Sequence, residues 1–110
     1  MDAVPKIILV DDDPIMRELA SAKLCEAGYL VRQACDGAEG LKLLRAESAD
    51  LVISDLDMPV MNGFELTEAI RKDDRIGDTP VMVITASDQG DAVDRAFAAG
   101  ATSFLAKPMN

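Results

Sequence analysis

The chain has no histidine among its 110 residues. That absence excludes Ser-His and Cys-His catalysis, the common zinc sites and a phosphohistidine on this chain. Its two cysteines, Cys25 and Cys35, lack metal-ligand spacing, so we expect two ordinary free thiols. Tryptophan is also absent, and one tyrosine with three phenylalanines leaves few rings for stacking on a bound flavin.

Basic residues and long apolar runs are scarce as well. The net charge of −9 argues against direct nucleic-acid binding, because phosphate backbones select clustered Lys and Arg. No apolar run approaches the roughly 18 residues that a membrane span needs. Residues 1–6 show no basic segment followed by an apolar one, so no secretory signal is visible. We expect one cytoplasmic domain over residues 1–110, without a membrane segment.

Five apolar stretches are present and predict β-strands. Residues 7–10, 51–53 and 81–84 are continuous apolar runs, which are typical of strands buried on both faces of a parallel sheet. Residues 30–34 alternate in polarity and residues 104–106 form a short stretch, so these two suit edge positions.

Helical patterns lie between the predicted strands, over residues 14–27, 37–46, 63–72 and 89–99. In the first of them, apolar residues recur from Met16 to Ala27 at helical spacing, with Ile15 and Leu19 beside the stripe. Residues that favour helix ends mark the boundaries: Asp13 with Pro14, Gly28, Gly100, and the capping-box spacings of Asp36 with Glu39 and of Asn62 with Glu65.

Strict alternation of strand and helix predicts a parallel α/β sheet with right-handed crossovers. With strand 1 between strands 2 and 3, the order is 2-1-3-4-5, the flavodoxin-like doubly wound arrangement, which opens a crevice between strands 1 and 3. Handedness places helix 1 on one face and helices 2 to 4 on the other, so the first face is half bare.

A fifth helix would complete that half-bare face, yet the sequence ends at Asn110. We therefore expect a domain that is truncated after strand 5. Large exposed apolar patches are rare on monomers, so the cover would come from removed chain such as an output domain, a second subunit in a homodimer, or a swapped element.

Polar residues with complementary chemistry follow the strands at one sheet edge: Asp11, Asp12 and Asp13, then Asp55, Thr85 and Lys107. Carboxylates at adjacent strand ends repel by about 4 kcal/mol at an effective dielectric of about 20, so a compensating cation is expected. Mg²⁺ fits, because it prefers oxygen ligands and keeps waters that a phosphate can replace. Asp13 is predicted instead to cap the first helix.

With that charge screened, a carboxylate oxygen of Asp55 can attack phosphorus and form an acyl phosphate. Thr85 would donate a hydrogen bond to one phosphoryl oxygen, and Lys107 would form an ion pair with another. Each residue also has a purely structural interpretation when taken alone: Thr85 as a satisfied strand hydroxyl, Lys107 as a surface amine and Phe104 as core.

The set Asp11-Asp12, Asp55 with Met58-Pro59 and Gly63, Thr85-Ala86 and Lys107-Pro108 resembles the CheY-like receiver domain of two-component response regulators. The resemblance spans nearly the whole chain. It implies that Asp55 is the phosphoacceptor, that Asp11, Asp12, Asp55 and the Asp57 carbonyl bind Mg²⁺, and that Thr85 and Lys107 contact the phosphoryl group. It also implies a cis Lys107-Pro108 bond.

The resemblance further implies a phosphorylation-dependent switch rather than an enzyme that turns over an external substrate. Thr85 and Phe104 would move together on phosphorylation and reshape the face that helix 4, strand 5 and helix 5 form in that family. The phosphoryl donor would be a phosphohistidine on a sensor histidine kinase or a phosphotransfer protein. Asp57 and Ser87 lie where water approaches the acyl phosphate, so we expect them to set its lifetime.

Three alternative functions share part of this pattern. A haloacid-dehalogenase-type phosphohydrolase would use Asp11 as its nucleophile, because Asp11-Asp12-Asp13 contains Asp-x-Asp after a strand. A flavodoxin-like flavin binder would place cofactor phosphate where three acids repel it. A third alternative is an interaction module that works without phosphorylation.

Overall fold

Strand and helix alternate in the computed structural model, which describes residues 4–56, 58, 60–85 and 90–106. The strands are β1 (Lys6–Val10), β2 (Leu30–Ala34), β3 (Leu51–Asp55), β4 (Val81–Thr85) and β5 (Ser103–Ala106). The helices are α1 (Pro14–Glu26), α2 (Gly37–Glu47), α3 (Gly63–Lys72) and α4 (Gly90–Ala99). All predicted elements are confirmed, and the largest difference in their bounds is at β3, which extends through Asp55.

All strand pairs are parallel, in the predicted order β2-β1-β3-β4-β5. The register matches Val10 of β1 with Ser54 of β3, and Asp55 with Ile84 of β4. The carboxyl ends of β1, β3 and β4 therefore share one edge of the sheet, on both sides of the point where the strand order reverses.

The two faces of the sheet carry hydrophobic cores of different size. The larger cluster joins the sheet to α2, α3 and α4, and its fully buried members include Ile8, Val52, Val83, Leu44, Leu66, Ile70 and Ala96. The smaller cluster contains Ile7, Leu9 and Ile53, against which Ala20 and Leu24 of α1 pack. This division confirms the predicted placement of α1 opposite the other helices.

On the face that carries α1, no helix of the described residues covers β4 and β5. An apolar trough of about 530 Å³ runs along it, and its lining includes Leu24, Ile53, Met82, Ile84 and Leu105. Met82 and Ile84 are only half-buried, so the continuous apolar run of β4 wrongly predicted burial on both faces. The residues that follow β5 lie outside the described residues, so the expected truncation after strand 5 stays a prediction. What covers the trough stays a prediction, and a monodisperse, stable monomer would count against it.

The apolar stripe of α1 is more exposed than its periodicity predicted. Ile15 is 70% exposed and Met16 and Leu19 are also exposed, whereas the buried residue of this helix is Ser21. The half-bare face explains the difference, because α1 has β1 and β2 beneath it and no helix described beside it. None of the described helices combines the length and the apolar character needed to cross a membrane.

The helix starts at Asn62 and Asp36 were both predicted, but they are built differently. At Asn62 the capping box is complete, since the side chains of Asn62 and Glu65 each accept a hydrogen bond from the other's backbone N–H. At Asp36 the side chain accepts from the N–H of Glu39 at 2.8 Å, but Glu39 accepts from Cys35, one residue earlier. The prediction of a reciprocal capping box at Asp36 is therefore wrong. The side chains of Asp36 and Glu39 nevertheless each accept a hydrogen bond from a backbone N–H.

A single side chain, that of Arg71 at the end of α3, ties together the opposite edge of the sheet. Its guanidinium donates hydrogen bonds to the carbonyls of Gly77 at 3.0 Å, Thr79 at 2.6 Å and Gly100 at 2.9 Å. It also donates to the Thr102 hydroxyl at 3.2 Å. These bonds connect α3 to the segments that lead into β4 and β5.

Candidate functional site

Asp11, Asp12 and Asp55 form an acidic cluster where β1 and β3 end. Asp55 closes β3 and Asp11 follows β1, and both are buried. The pairing of Val10 with Ser54 makes these two acids neighbours at the next position along the strands. One carboxylate oxygen from each of the three acids lies within 4.8 Å of the others. The convergence predicted for these acids is confirmed.

Asp11 is fixed on several sides by short hydrogen bonds. Its N–H donates to the carbonyl of Ala34 on β2 at 3.1 Å. Its carboxylate accepts from the N–H of Asp13 at 2.9 Å, and its carbonyl accepts from Nη1 of Arg17 at 2.8 Å. The start of the turn that carries Asp12 is thus anchored to both β2 and α1.

Asp13 is the helix cap that its position before Pro14 predicted. Its Oδ1 accepts hydrogen bonds from the N–H groups of Ile15 at 3.0 Å and Met16 at 3.3 Å. Its carbonyl accepts from the N–H of Arg17 at 2.9 Å. Its Oδ1 and its carbonyl oxygen thus both bind the first turn of α1, and Asp13 is not one of the three acids of the cluster.

The chain around Asp55 is held equally firmly. The N–H of Leu56 donates to the carbonyl of Ile84 at 2.8 Å, and the buried Ser54 hydroxyl donates to the carbonyl of Asp55 at 3.0 Å. Gly63 returns the chain to this point, where its N–H donates to the carbonyl of Leu56 at 3.1 Å. The acid is therefore supported by β4 on one side and by the start of α3 on the other.

Thr85 closes β4 beside the acidic cluster and is almost fully buried. It pairs with Ala106 of β5, while Phe104 pairs with Val83. Because side chains alternate along a strand, Thr85 and Phe104 share one face of the sheet. Phe104 packs against the larger hydrophobic cluster on that face.

Several predicted site residues lie outside the described residues: Asp57, Pro59, Ala86, Ser87, Lys107 and Pro108. The expected roles of Asp57 and Lys107, and the expected cis Lys107-Pro108 bond, therefore stay predictions. Met58, between two of these positions, is buried in the larger cluster, as its interpretation as a packing residue predicted.

Two residues that support the site, Arg17 and Ser54, were missed from the sequence. Ser54 carried a signal, because it is the one polar residue directly before Asp55 in a strand that is otherwise apolar. Arg17 carried none, since its contact with Asp11 depends on how α1 crosses the end of β1.

The close spacing of the three acids requires a compensating positive charge. Carboxylate charges within 4.8 Å of one another repel by at least roughly 3 kcal/mol at an effective dielectric of about 20, and burial of two of the acids increases that repulsion. Oxygen donors of this kind and spacing suit a hard divalent cation.

The fold and this edge define a doubly wound α/β domain with an acidic site at its topological switch point. The chain belongs to the response regulator receiver domain family, whose family model matches residues 7–110. Receiver domains are signalling domains of two-component systems, and the hydrolase and phosphorylation-independent alternatives are not favoured by this match.

Two similar proteins show the range of settings for such a domain. The DNA-binding dual master transcriptional regulator RpaA of Synechocystis is 38% identical over 107 residues, which cover 97% of this chain and 44% of that protein. The sensor histidine kinase RcsC of Escherichia coli is 38% identical over 104 residues, or 94% of this chain and 11% of that protein. The chain thus spans less than half the length of these relatives.

Solved structures confirm the architecture. The chemotaxis protein CheY4 of Vibrio cholerae matches with a TM-score of 0.91 at 38% identity, covering 98% of this chain and 90% of that one. A putative response regulator from Chloroflexus aurantiacus matches with a TM-score of 0.92 at 31% identity, covering 98% and 88%. The fold is therefore CheY-like, as predicted.

Proposed function

We propose that this receiver domain is switched by phosphorylation of Asp55. The carrying observation is the acidic cluster, in which Asp55 ends a central strand with its carboxylate buried and within 4.8 Å of those of Asp11 and Asp12. A buried acid supported by β4 and α3 is a pre-positioned nucleophile, since little reorganisation is needed before it reacts.

The residues present fit Mg²⁺ as the cofactor. Asp11, Asp12 and Asp55 would hold the ion through carboxylate oxygens, which are its preferred ligands, and the resemblance adds the carbonyl of Asp57. When bound, the ion neutralises charge on the acids and on an incoming phosphoryl group.

In the proposed reaction, an oxygen of the Asp55 carboxylate attacks phosphorus in line. An O–P bond forms, the N–P bond of the donor phosphohistidine breaks, and the released imidazole takes up a proton. The product is an acyl phosphate on Asp55. Lys107 would form an ion pair with one phosphoryl oxygen, and Thr85 would donate a hydrogen bond to another.

Signal output would pass through Thr85 and Phe104. Both residues face the larger core from adjacent strands, so a movement of the Thr85 hydroxyl toward the phosphoryl group changes the packing around the ring of Phe104. Such a local change biases a two-state surface formed by α4 and β5. Removal of the phosphoryl group would restore the first state.

The proposed donor is a sensor histidine kinase or a phosphotransfer protein. The absence of histidine from this chain agrees with an acceptor that needs a separate donor. The chain would catalyse only its own phosphorylation and dephosphorylation, in the cytoplasm, and an output domain or a second copy would read the altered surface.

The test is incubation with acetyl phosphate and MgCl₂, followed by intact-mass analysis. One phosphate per chain is expected, located at Asp55 by peptide mapping after borohydride reduction of the acyl phosphate. Asp55→Asn should abolish it, whereas Asp74→Asn, an exposed acid remote from the cluster, should not. A phosphate on Asp11 with sustained turnover would instead establish the hydrolase.

A further inference from the structure

The side chain of Arg17 lies against the acidic cluster but has no role in the proposed reaction. Its Nη1 donates to the backbone carbonyl of Asp11 at 2.8 Å, and its N–H donates to the carbonyl of Asp13 at 2.9 Å. The bond to Asp13 comes from the backbone and belongs to α1, so the side chain of Arg17 acts on the turn through its bond to the carbonyl of Asp11. In the described part of the chain, its guanidinium forms no ion pair, despite the nearby acids.

The orientation of the guanidinium is itself fixed from β2. Its Nε donates to Oε1 of Gln33 at 3.1 Å, and Gln33 in turn donates from Nε2 to Glu18 at 3.3 Å. The planar guanidinium thus joins a strand on one side of β1 to a carbonyl at the end of β1. A lysine amine reaches one of these acceptors without the fixed fork that reaches both.

We propose that Arg17 is a positioning residue for Asp11 and Asp12, which holds their turn in the conformation that binds the divalent cation. This inference rests on the proposed function, because it takes the acidic cluster as the Mg²⁺ site. The role is indirect: Arg17 contacts the backbone beside the ligands. Groups that orient metal ligands in this way typically change metal affinity by 10- to 100-fold when they are removed.

Charge and positioning make opposite predictions for Arg17. As a positive charge beside the site, Arg17 repels a cation, so its removal alone would tighten Mg²⁺ binding. As a positioning residue it supports the ligands, so its removal would weaken binding. The sign of the change therefore distinguishes the two roles.

The experiment compares Mg²⁺ dissociation constants of the wild type, Arg17→Met and Arg17→Lys, measured by calorimetric titration at constant ionic strength. Arg17→Met keeps the apolar stem and is expected to bind Mg²⁺ about 10-fold more weakly. Arg17→Lys should recover part of that loss. Arg75→Met removes an exposed charge elsewhere and should bind as the wild type does.

A second measurement needs no metal. The N–H of Asp13 is bonded to the carboxylate of Asp11, so its hydrogen exchange reports whether the turn is held. In Arg17→Met this exchange should be faster, while the N–H of Val52, in the central β3, should keep its wild-type rate. Equal acceleration at both positions would mean general loosening, and would overturn the assignment.

The outcomes separate the inference from the proposed function. A wild type that fails to bind Mg²⁺ overturns both. A wild type that binds, with Arg17→Met equal to it or tighter, overturns only the role of Arg17. An Arg17→Lys variant that recovers none of the lost Mg²⁺ affinity also overturns that role, because the hydrogen bond to Asp11 would then not explain the loss.

Discussion

Gly63 lies so close to Asp55 that a β carbon built on the glycine would be 2.7 Å from the Asp55 carbonyl oxygen. The same β carbon would meet the α carbon of Leu56 at 3.0 Å. Both contacts are with backbone, which cannot rotate away as a side chain does. Only glycine lets α3 begin directly against the end of β3, and this approach supports the proposed phosphoacceptor.

Gly63→Ala is therefore expected to lower the free energy of unfolding by about 2 kcal/mol, as overpacking typically does. Urea unfolding followed by circular dichroism measures it. Gly28→Ala is the control, because its β carbon meets nothing within 4 Å but its φ of 101° is unfavourable for alanine. That control should cost about 1 kcal/mol. A Gly63→Ala variant as stable as the wild type would contradict the close approach.

Val60→Asn is expected to stabilise the domain. Val60 has a φ of 70° and is 79% exposed, so a β-branched residue adopts a left-handed conformation without gaining burial. Asparagine tolerates that conformation, and relief of the strain should raise the free energy of unfolding by about 1 kcal/mol. Val4→Asn, also at an exposed valine, is the control and should change little. A less stable Val60→Asn variant would refute this explanation.

Glu47→Gln should destabilise the domain in a pH-dependent way. Hydrogen bonds from Arg32 at 2.9 Å and then from Lys6 at 3.3 Å lower the pKa of Glu47 below its ordinary value of 4.5. A carboxylate whose pKa is lowered by folding stabilises the folded state at pH values above its ordinary pKa. This stabilisation is lost as the pH falls through the folded-state pKa. The difference between wild type and variant should thus be largest near neutral pH.

Unfolding midpoints measured from pH 7 down to about pH 3 would test that expectation. Glu26→Gln, at the exposed end of α1, provides the control for the removal of one negative charge. A difference between wild type and Glu47→Gln that stays constant with pH would show that the two ion pairs do not act through the charge of Glu47.

Arg71→Met is expected to lower the free energy of unfolding by about 2 to 3 kcal/mol. The change removes hydrogen bonds to the carbonyls of Gly77, Thr79 and Gly100, and bonds from a charged donor contribute more than neutral ones. Thermal and urea unfolding measure the loss. Arg45→Met, which breaks an exposed ion pair with Asp73, should have a much smaller effect. Equal effects would argue against a special role for Arg71.

The sequence predicted what depends on local pattern. Continuous apolar runs identified the central strands β1 and β3, and the strand-end positions of Asp11 and Asp55 placed them at one edge. Asp13 before Pro14 predicted the cap of α1, because that contact spans three residues. Alternation and crossover handedness predicted parallel strands and the face on which each helix lies, whereas the strand order also required strand 1 to be placed between strands 2 and 3.

The rest depended on tertiary contacts. Arg17 and Arg71 act across the sheet edges, and no spacing in the chain indicates which carbonyls they reach. The backbone strain at Val60 could not be predicted from the sequence, because valine usually avoids the left-handed conformation. Ile15 is exposed because none of the described helices lies beside α1, whereas periodicity reports only that a helix has an apolar side.

The hydrogen bonds of Arg71 hold one edge of the domain in place. They join the entries to β4 and β5 with the end of α4, at the edge opposite the acids. A disturbance that begins at Thr85 therefore starts at the carboxyl end of β4, away from these bonds, whereas Arg71 holds the carboxyl end of α4 through Gly100. Displacement of that helix would take the form of a swing about Gly100, so the first turn of α4 should travel farthest when the domain changes state.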